Sequence, residues 1–285
     1  MKAFTPIIFG LAALLFCLFF FFTPHKESSS QIVVSVAPLK YFAERIVQGK
    51  IPVSAIVHAG QDHETYEISP KEMVLLMQSK LYFSTDFPFE RRWIEKVRGL
   101  NKKILIVDLP KEIFPNGENR DLHIWTSPKL AKKITSVMVE KIVAMDPESE
   151  SIYRANGEQL IQDLDLLDRE IGARLAPFKG EKFYVVHPAW GYFAKDYGLE
   201  EVSLERDGKE PSLQELIAII EAAKKDHVHV IFIQKGQSLS SAEAMARSLG
   251  GKVEEIDPLE EDYFSNMRIV SSRIEKVLKD EKAHH

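Results

Sequence analysis

Along this 285-residue chain, short apolar runs rich in β-branched residues alternate with stretches whose apolar positions recur at helical spacing. Ile32–Val36 predicts a strand and residues 39–47 a helix; Val53–Val57 predicts a second strand. Ser69 and Pro70 then open a helix through Met73, Leu76 and Met77, with Ser69 as N-cap and Pro70 in the first turn. A short strand at 81–83, a helix at 89–97, a strand at 104–107 and a helix at 126–144 complete the first half. Alternation of this kind predicts a mostly parallel sheet covered by helices on both faces.

Residues 151–176 behave differently. Leu160, Leu164, Leu167, Ile171 and Leu175 form one continuous helical stripe with charged residues between them, and Pro177 stops it. Beyond it the first pattern returns. A strand at 182–186 leads to a helix from Tyr192 to Tyr197, and a helix at 212–224 carries a Ser212/Glu215 capping box. Strands at 228–233 and 252–256 flank a helix at 241–249, and 264–278 reads as a closing helix. No short-period repeat is present. The expected architecture is α/β: two lobes, each a mostly parallel sheet flanked by helices, joined by one long backbone helix. The corresponding division is a leader at 1–30, an N-terminal lobe at 31–150, the connecting helix at 151–177 and a C-terminal lobe at 178–285.

Composition narrows the picture. The formal net charge is −5 and 28% of residues are charged, so the concentrated basic face that nucleic acid requires is missing. Lys2, the apolar run from Ile7 to Phe22 and the small residues Ser28 to Ser30 describe a secretory signal. The run is long and aromatic, so an uncleaved membrane anchor is the alternative. Either way the remainder is expected to be exported, periplasmic or held at the outer face of a membrane. Cys17 is the single cysteine and follows Phe16 rather than a small residue, so lipid attachment is not expected, and disulfides and thiolate metal sites are excluded.

The chemistry concentrates at strand exits. His63 lies after the second strand, His123 before a helix, His187 at the end of the strand at 182–186, and Asp257 at the end of the strand at 252–256. Ligands gather at the carboxyl ends of strands in open α/β sheets, and four N/O side chains can close a shell around a divalent ion. Taken singly, each histidine is weak evidence; His58, His227 and His229 read as ordinary, and the terminal His284-His285 pair is not read as a site. Asp62 is either an acceptor orienting His63 or a loop charge, while Glu64 reads as a solvated loop charge. Trp125, Trp190 and Tyr192 read as lobe-packing aromatics.

The motifs together change the weighting. Gly60-x-Asp62-His63-x-Thr65-Tyr66-Glu67 running into Ser69-Pro70, and Asp121-x-His123-x-Trp125, are joined by His187-x-x-Trp190-Gly191-Tyr192-Phe193-Ala194 with Tyr197-Gly198-Leu199, and by Ile256-Asp257-Pro258-Leu259. In this order and spacing the chain resembles the metal-binding solute-binding proteins of zinc and manganese ABC importers, the ZnuA/TroA-like family, over nearly its whole length after the leader. That resemblance implies a metal between two α/β lobes, with His63, His123, His187 and Asp257 as ligands. It also implies a monomeric carrier that serves an ABC permease in the membrane. Three departures stand out: Gln234 replaces a frequent acidic residue, Pro188 replaces an aspartate after the third ligand, and residues 115–120 contain no histidine-rich loop.

Three imidazoles and one carboxylate suit zinc. Manganese or iron stays open, because Asp257 can bind through both oxygens. The alternative from another class is an exported zinc-dependent hydrolase. It would need an open position for water and a general base, and no His-Glu-x-x-His helix or Gly-x-Ser-x-Gly elbow is present. Glu205 and Glu210 read as solvated loop charges, so the expectation is a binding protein rather than an enzyme.

Overall fold

The computed structural model describes residues 32–117, 121–205, 211–236 and 239–283. The leader with Cys17, residues 118–120 of the loop before His123, Glu210 and the terminal histidines lie outside the described residues.

Two four-stranded parallel sheets form the frame. In the first, β1 (Ile32–Val36), β2 (Val53–Val57), β3 (Leu81–Ser84) and β4 (Leu105–Asp108) lie in the order β2-β1-β3-β4. In the second, β5 (Lys182–Val185), β6 (Glu200–Ser203), β7 (Val230–Ile233) and β8 (Lys252–Glu255) lie in the equivalent order β6-β5-β7-β8. The central strands are mostly apolar because helices cover both faces: every residue of β1, β3 and β7 is buried, including Ser35 and Ser84. β6 is the strand that the sequence pattern does not suggest. Its Glu-Glu-Val-Ser sequence suits an exposed edge, and pairing with β5 rather than intrinsic propensity makes it a strand.

The N-terminal helices are α1 (Ala37–Val47), α2 (Pro70–Gln78), α3 (Pro88–Leu100), the short α4 (Leu109–Ile113) and α5 (Pro128–Met145). The stripe-bearing helix α6 runs Glu150–Leu175, 26 residues, with a 3-10 turn at each end. At 1.5 Å per residue it is about 39 Å long, enough to run past both sheets. Its buried stripe, Leu160, Leu164, Leu167, Ile171 and Leu175, packs against α1 and α5 on one side. On the other side it meets the C-terminal helix α10 (Tyr263–Ala283). The second lobe also carries α7 (Gly191–Tyr197), α8 (Leu213–Lys225) and α9 (Leu239–Ser248).

In each sheet the chain switches direction beside the first strand, between β1 and β3 and between β5 and β7. The loops at the carboxyl ends of these strands face one another across the cleft, and the site lies between them.

Candidate metal centre

Local chemistry fixes each loop. His63 lies between β2 and α2 in a turn folded by Asp62, whose carboxylate accepts from the Glu64 amide (2.8 Å) and the Thr65 hydroxyl (2.6 Å). Asp62 therefore shapes the loop rather than orienting the His63 ring. Ser69 and Glu72 close a capping box at the start of α2, and the Tyr66 hydroxyl donates to Glu72 (2.6 Å). His123 precedes a 3-10 turn, and the Thr126 hydroxyl donates to its carbonyl (2.8 Å). His187 follows β5 by two residues, and Asp257 follows β8 by two.

The three imidazoles meet although 60 and 64 residues separate neighbours in sequence. His123 Nε2 lies 2.8 Å from His63 Nε2 and 3.3 Å from His187 Nε2. Zinc–nitrogen bonds of about 2.0–2.1 Å in a tetrahedron place neighbouring nitrogens about 3.4 Å apart, so these three atoms stand close to the edges of one coordination shell. His63, His123 and His187 are all buried. Glu64 joins them: one ligand atom from each of the four residues lies within 4.8 Å of the others. Its Oε1 is 3.7 Å from His187 Nε2.

Carboxylates hold two of the rings from behind. His123 Nδ1 is 2.8 Å from Asp121 Oδ1, which also accepts the His123 amide (3.0 Å). His187 Nδ1 is 2.9 Å from Glu205 Oε2. An ionised carboxylate only accepts, so in both rings the proton sits on Nδ1 and the Nε2 lone pair is free to bind a cation. Glu205 is therefore not the solvated loop charge the sequence suggests; its own backbone amide is tied to Val186 O (3.0 Å), which places it behind His187. His63 differs, because its buried Nδ1 has no hydrogen-bond partner among the described residues. Phe87 packs edge-on against His63 and His123, with centroids 4.8 and 5.3 Å away. Phe87 is held in turn by Glu90, a buried carboxylate that accepts the Phe87 amide, the Thr85 hydroxyl and the Tyr82 hydroxyl.

Burial sets the protonation of His63. It holds the pKa well below the ordinary imidazole value, and His123 and His187 reinforce the effect. Burial acts in the same direction on His187, but its hydrogen bond to Glu205 and the charges of Glu64, Glu205 and Asp62 outweigh it, so this pKa is raised. Burial pushes the Asp257 carboxyl up to about 6, against the lowering effect of the Leu259 and Gly60 amides.

Asp257 is not among the four residues gathered there; it is buried, with its carboxylate engaged elsewhere. Oδ2 accepts the Gly60 amide from the opposite lobe (3.2 Å), and Oδ1 accepts the Leu259 amide (2.9 Å). Gln234 donates to Gln61 O (3.3 Å), again across the cleft. Trp125, Trp190 and Tyr192 are buried as packing aromatics, and two of them also bridge the lobes: Trp125 Nε1 donates to Pro258 O (2.8 Å) and the Tyr192 hydroxyl to Asp121 O (2.9 Å). Gly236, in the left-handed region, lies so close to Gly60 that a side chain there would strike the Gly60 carbonyl. The lobes are closed upon the site.

A family model described as "Zinc-uptake complex component A periplasmic" matches residues 32–277. The chain belongs to this family. It is a metal-binding solute-binding protein of the zinc-uptake component A type, not an enzyme, and its cluster of histidines and Glu64 lies between the lobes. It is 29% identical over 253 residues to a "Putative metal-binding protein" of Chlamydia trachomatis, covering 86% of this chain and 91% of that one. It is 27% identical over 256 residues to the "High-affinity zinc uptake system protein ZnuA" of Bacillus subtilis, covering 82% and 80%. A crystal structure of ZnuA superposes with a TM-score of 0.82 at 34% identity, over 87% of this chain and 98% of that one. A zinc-bound ZnuA deletion mutant gives 0.80 at 34% identity, over 86% and 96%.

Proposed function

We propose that this protein captures one divalent transition metal ion, zinc in preference, between its lobes outside the cytoplasm and delivers it to an ABC permease. The observation that carries the reading is the convergence of three Nε2 atoms, two of them backed by carboxylates on Nδ1. A buried group of imidazoles with free lone pairs is a poor place for anything but a cation that replaces lost solvation with bonds. His63, His123 and His187 are the proposed imidazole ligands. The carboxylate is Asp257 on the sequence pattern and Glu64 on proximity, so both belong in the test. Three nitrogens favour zinc, and both the B. subtilis relative named for zinc uptake and the zinc-bound ZnuA structure support that preference. The presence of two carboxylates near the site favours manganese or iron as the competing cargo.

Metal analysis after competitive loading of residues 31–285 with zinc, manganese and iron tests this. About one zinc per chain, lost in His187→Ala, supports the reading. Manganese or iron in that place keeps the carrier and changes its cargo. No stoichiometric metal overturns it. Comparing Glu64→Gln with Asp257→Asn assigns the fourth ligand, which is the variant that loses more affinity.

A further inference from the structure

The residues that orient His123 do not belong to one lobe. Asp121 Oδ1 holds both the amide and Nδ1 of His123, while the Asp121 carbonyl accepts the hydroxyl of Tyr192 from the facing lobe (2.9 Å). Tyr192 is fixed from the side as well: its ring stacks on Phe114 of the N-terminal lobe, centroids 5.9 Å apart and planes 8° from parallel. The seat depends on Gly191. A Cβ there would lie 3.1 Å from Asp121 Oδ2 and 3.4 Å from Glu201 Oε2, so the missing side chain leaves room for the Asp121 carboxylate against the start of α7.

We propose that Tyr192 is a positioning residue that couples the orientation of His123 to closure of the lobes. When the lobes close, its hydroxyl and ring clamp the Asp121 loop, and Asp121 aims His123 Nε2 at the ion. When they part, the clamp leaves with α7 and His123 is held from one side only. The consequence is kinetic. Tyr192 acts after the ion has entered, so it governs release rather than capture. The inference rests on the carrier reading, but its test does not depend wholly on metal.

The experiment uses residues 31–285 of the wild type, Tyr192→Phe and Gly191→Ala. Zinc capture and chelator-driven release are followed by stopped flow. Tyr192→Phe keeps the ring and removes one donor. It is expected to retain one zinc per chain and an unchanged association rate while releasing zinc about tenfold faster. Gly191→Ala should likewise speed release by crowding Asp121, with its melting temperature recorded beside that of the wild type. Release that quickens while the melting temperature holds separates positioning from mere stability. Exchange of the His123 Nδ1–H proton in nitrogen-15 histidine spectra is read in both zinc-loaded and metal-free protein. Faster exchange in Tyr192→Phe is expected. Wild-type release and wild-type exchange, or a change confined to melting temperature, would overturn the proposal. If the wild type takes up no metal, the carrier reading fails and the histidine spectra alone decide the clamp.

Discussion

Burial drives His63 and His187 the same way, and their neighbours separate them. His63 has no acceptor behind it among the described residues and stays neutral; His187 sits between Glu205 and Glu64 and keeps its proton more tightly than an ordinary imidazole. Competition between protons and metal should therefore be stronger at His187 than at His63. Its raised pKa means the proton must leave at any pH near or below the usual histidine range, so affinity is expected to fall as pH drops from about 7.5 to 5.5. Calorimetric titrations across that range check it, and a flat affinity would exclude His187 as a ligand. Glu205→Gln should weaken binding at pH 8 by about 10- to 100-fold and move the fall to lower pH, because the carboxylate that raises the His187 pKa is gone. The histidines were legible in the sequence because imidazoles at strand exits are chemically conspicuous. Glu64 and Glu205 were not: a charged loop residue looks the same whether it faces water or a buried ring. Asp257 is buried at the cleft as its place after a strand implies, but which atoms its oxygens address depends on how the opposite lobe presents Gly60.

Elements with their own signals were readable at this level. Ser69 and Ser212 cap the helices they were expected to cap, and the buried runs are strands. The edge strand β6 is set by its neighbour rather than by pattern, so local reading does not find it, whereas the five-residue α4 carries local signals, the Asp108 N-cap and Pro110 in its first turn, but is too short to show a periodic stripe. Tertiary context can also invert a local rule. Gly157 lies inside α6, where alanine should gain about 1 kcal/mol, but a Cβ there would stand 2.3 Å from Val139 Cγ2 on α5. Gly157→Ala is therefore expected to destabilise the protein by about 1–2 kcal/mol in urea unfolding, and adding Val139→Ala should recover most of the loss. A second device sits on α10. Burial raises the Glu281 carboxyl to about 7, although it accepts the His229 amide (2.9 Å). A raised carboxyl stabilises the fold fully below its unfolded pKa, and that contribution disappears as pH rises through about 7. Glu281→Gln should then be more stable than wild type at pH 8, by about 1 kcal/mol after allowing for solvent screening, and should lose that advantage by pH 5. Thermal melts at the two pH values decide it.

The two lobes share one strand order, but they are not two free bodies on a string. One hydrophobic core runs from β1 through α6 into β5 and α10, while a smaller cluster belongs to the second lobe alone. Behind the cleft, α1 is clasped to the start of α10: Phe42 meets Tyr263 edge-on at 4.7 Å, and Lys40 pairs with Glu261 at 2.5 Å. Glu170 of α6 bridges to Arg268 at 2.8 Å. In front, Trp125 and Gly60 of the first lobe hold the loop that carries Asp257. That loop is therefore fastened to both lobes, whereas His187 is carried by β5 of the second lobe. An ion must nevertheless reach three buried imidazoles, so some opening is required. A wide rotation would have to break the continuous core, the aromatic clasp and the Trp125 bond together; a small shift of the loop after β5 and of the start of α7, with β5 held in its sheet between β6 and β7, breaks mainly the contacts made by His187 and Tyr192. The physical balance favours the small shift. Solution X-ray scattering of metal-free and zinc-loaded protein is expected to show radii of gyration that differ by about 1 Å or less, far below what a hinged two-domain opening gives. Phe42→Ala, which removes the clasp, should enlarge the difference in the metal-free state. A wide metal-dependent rotation in the wild type would mean that α6 bends where its unbroken stripe says it is rigid.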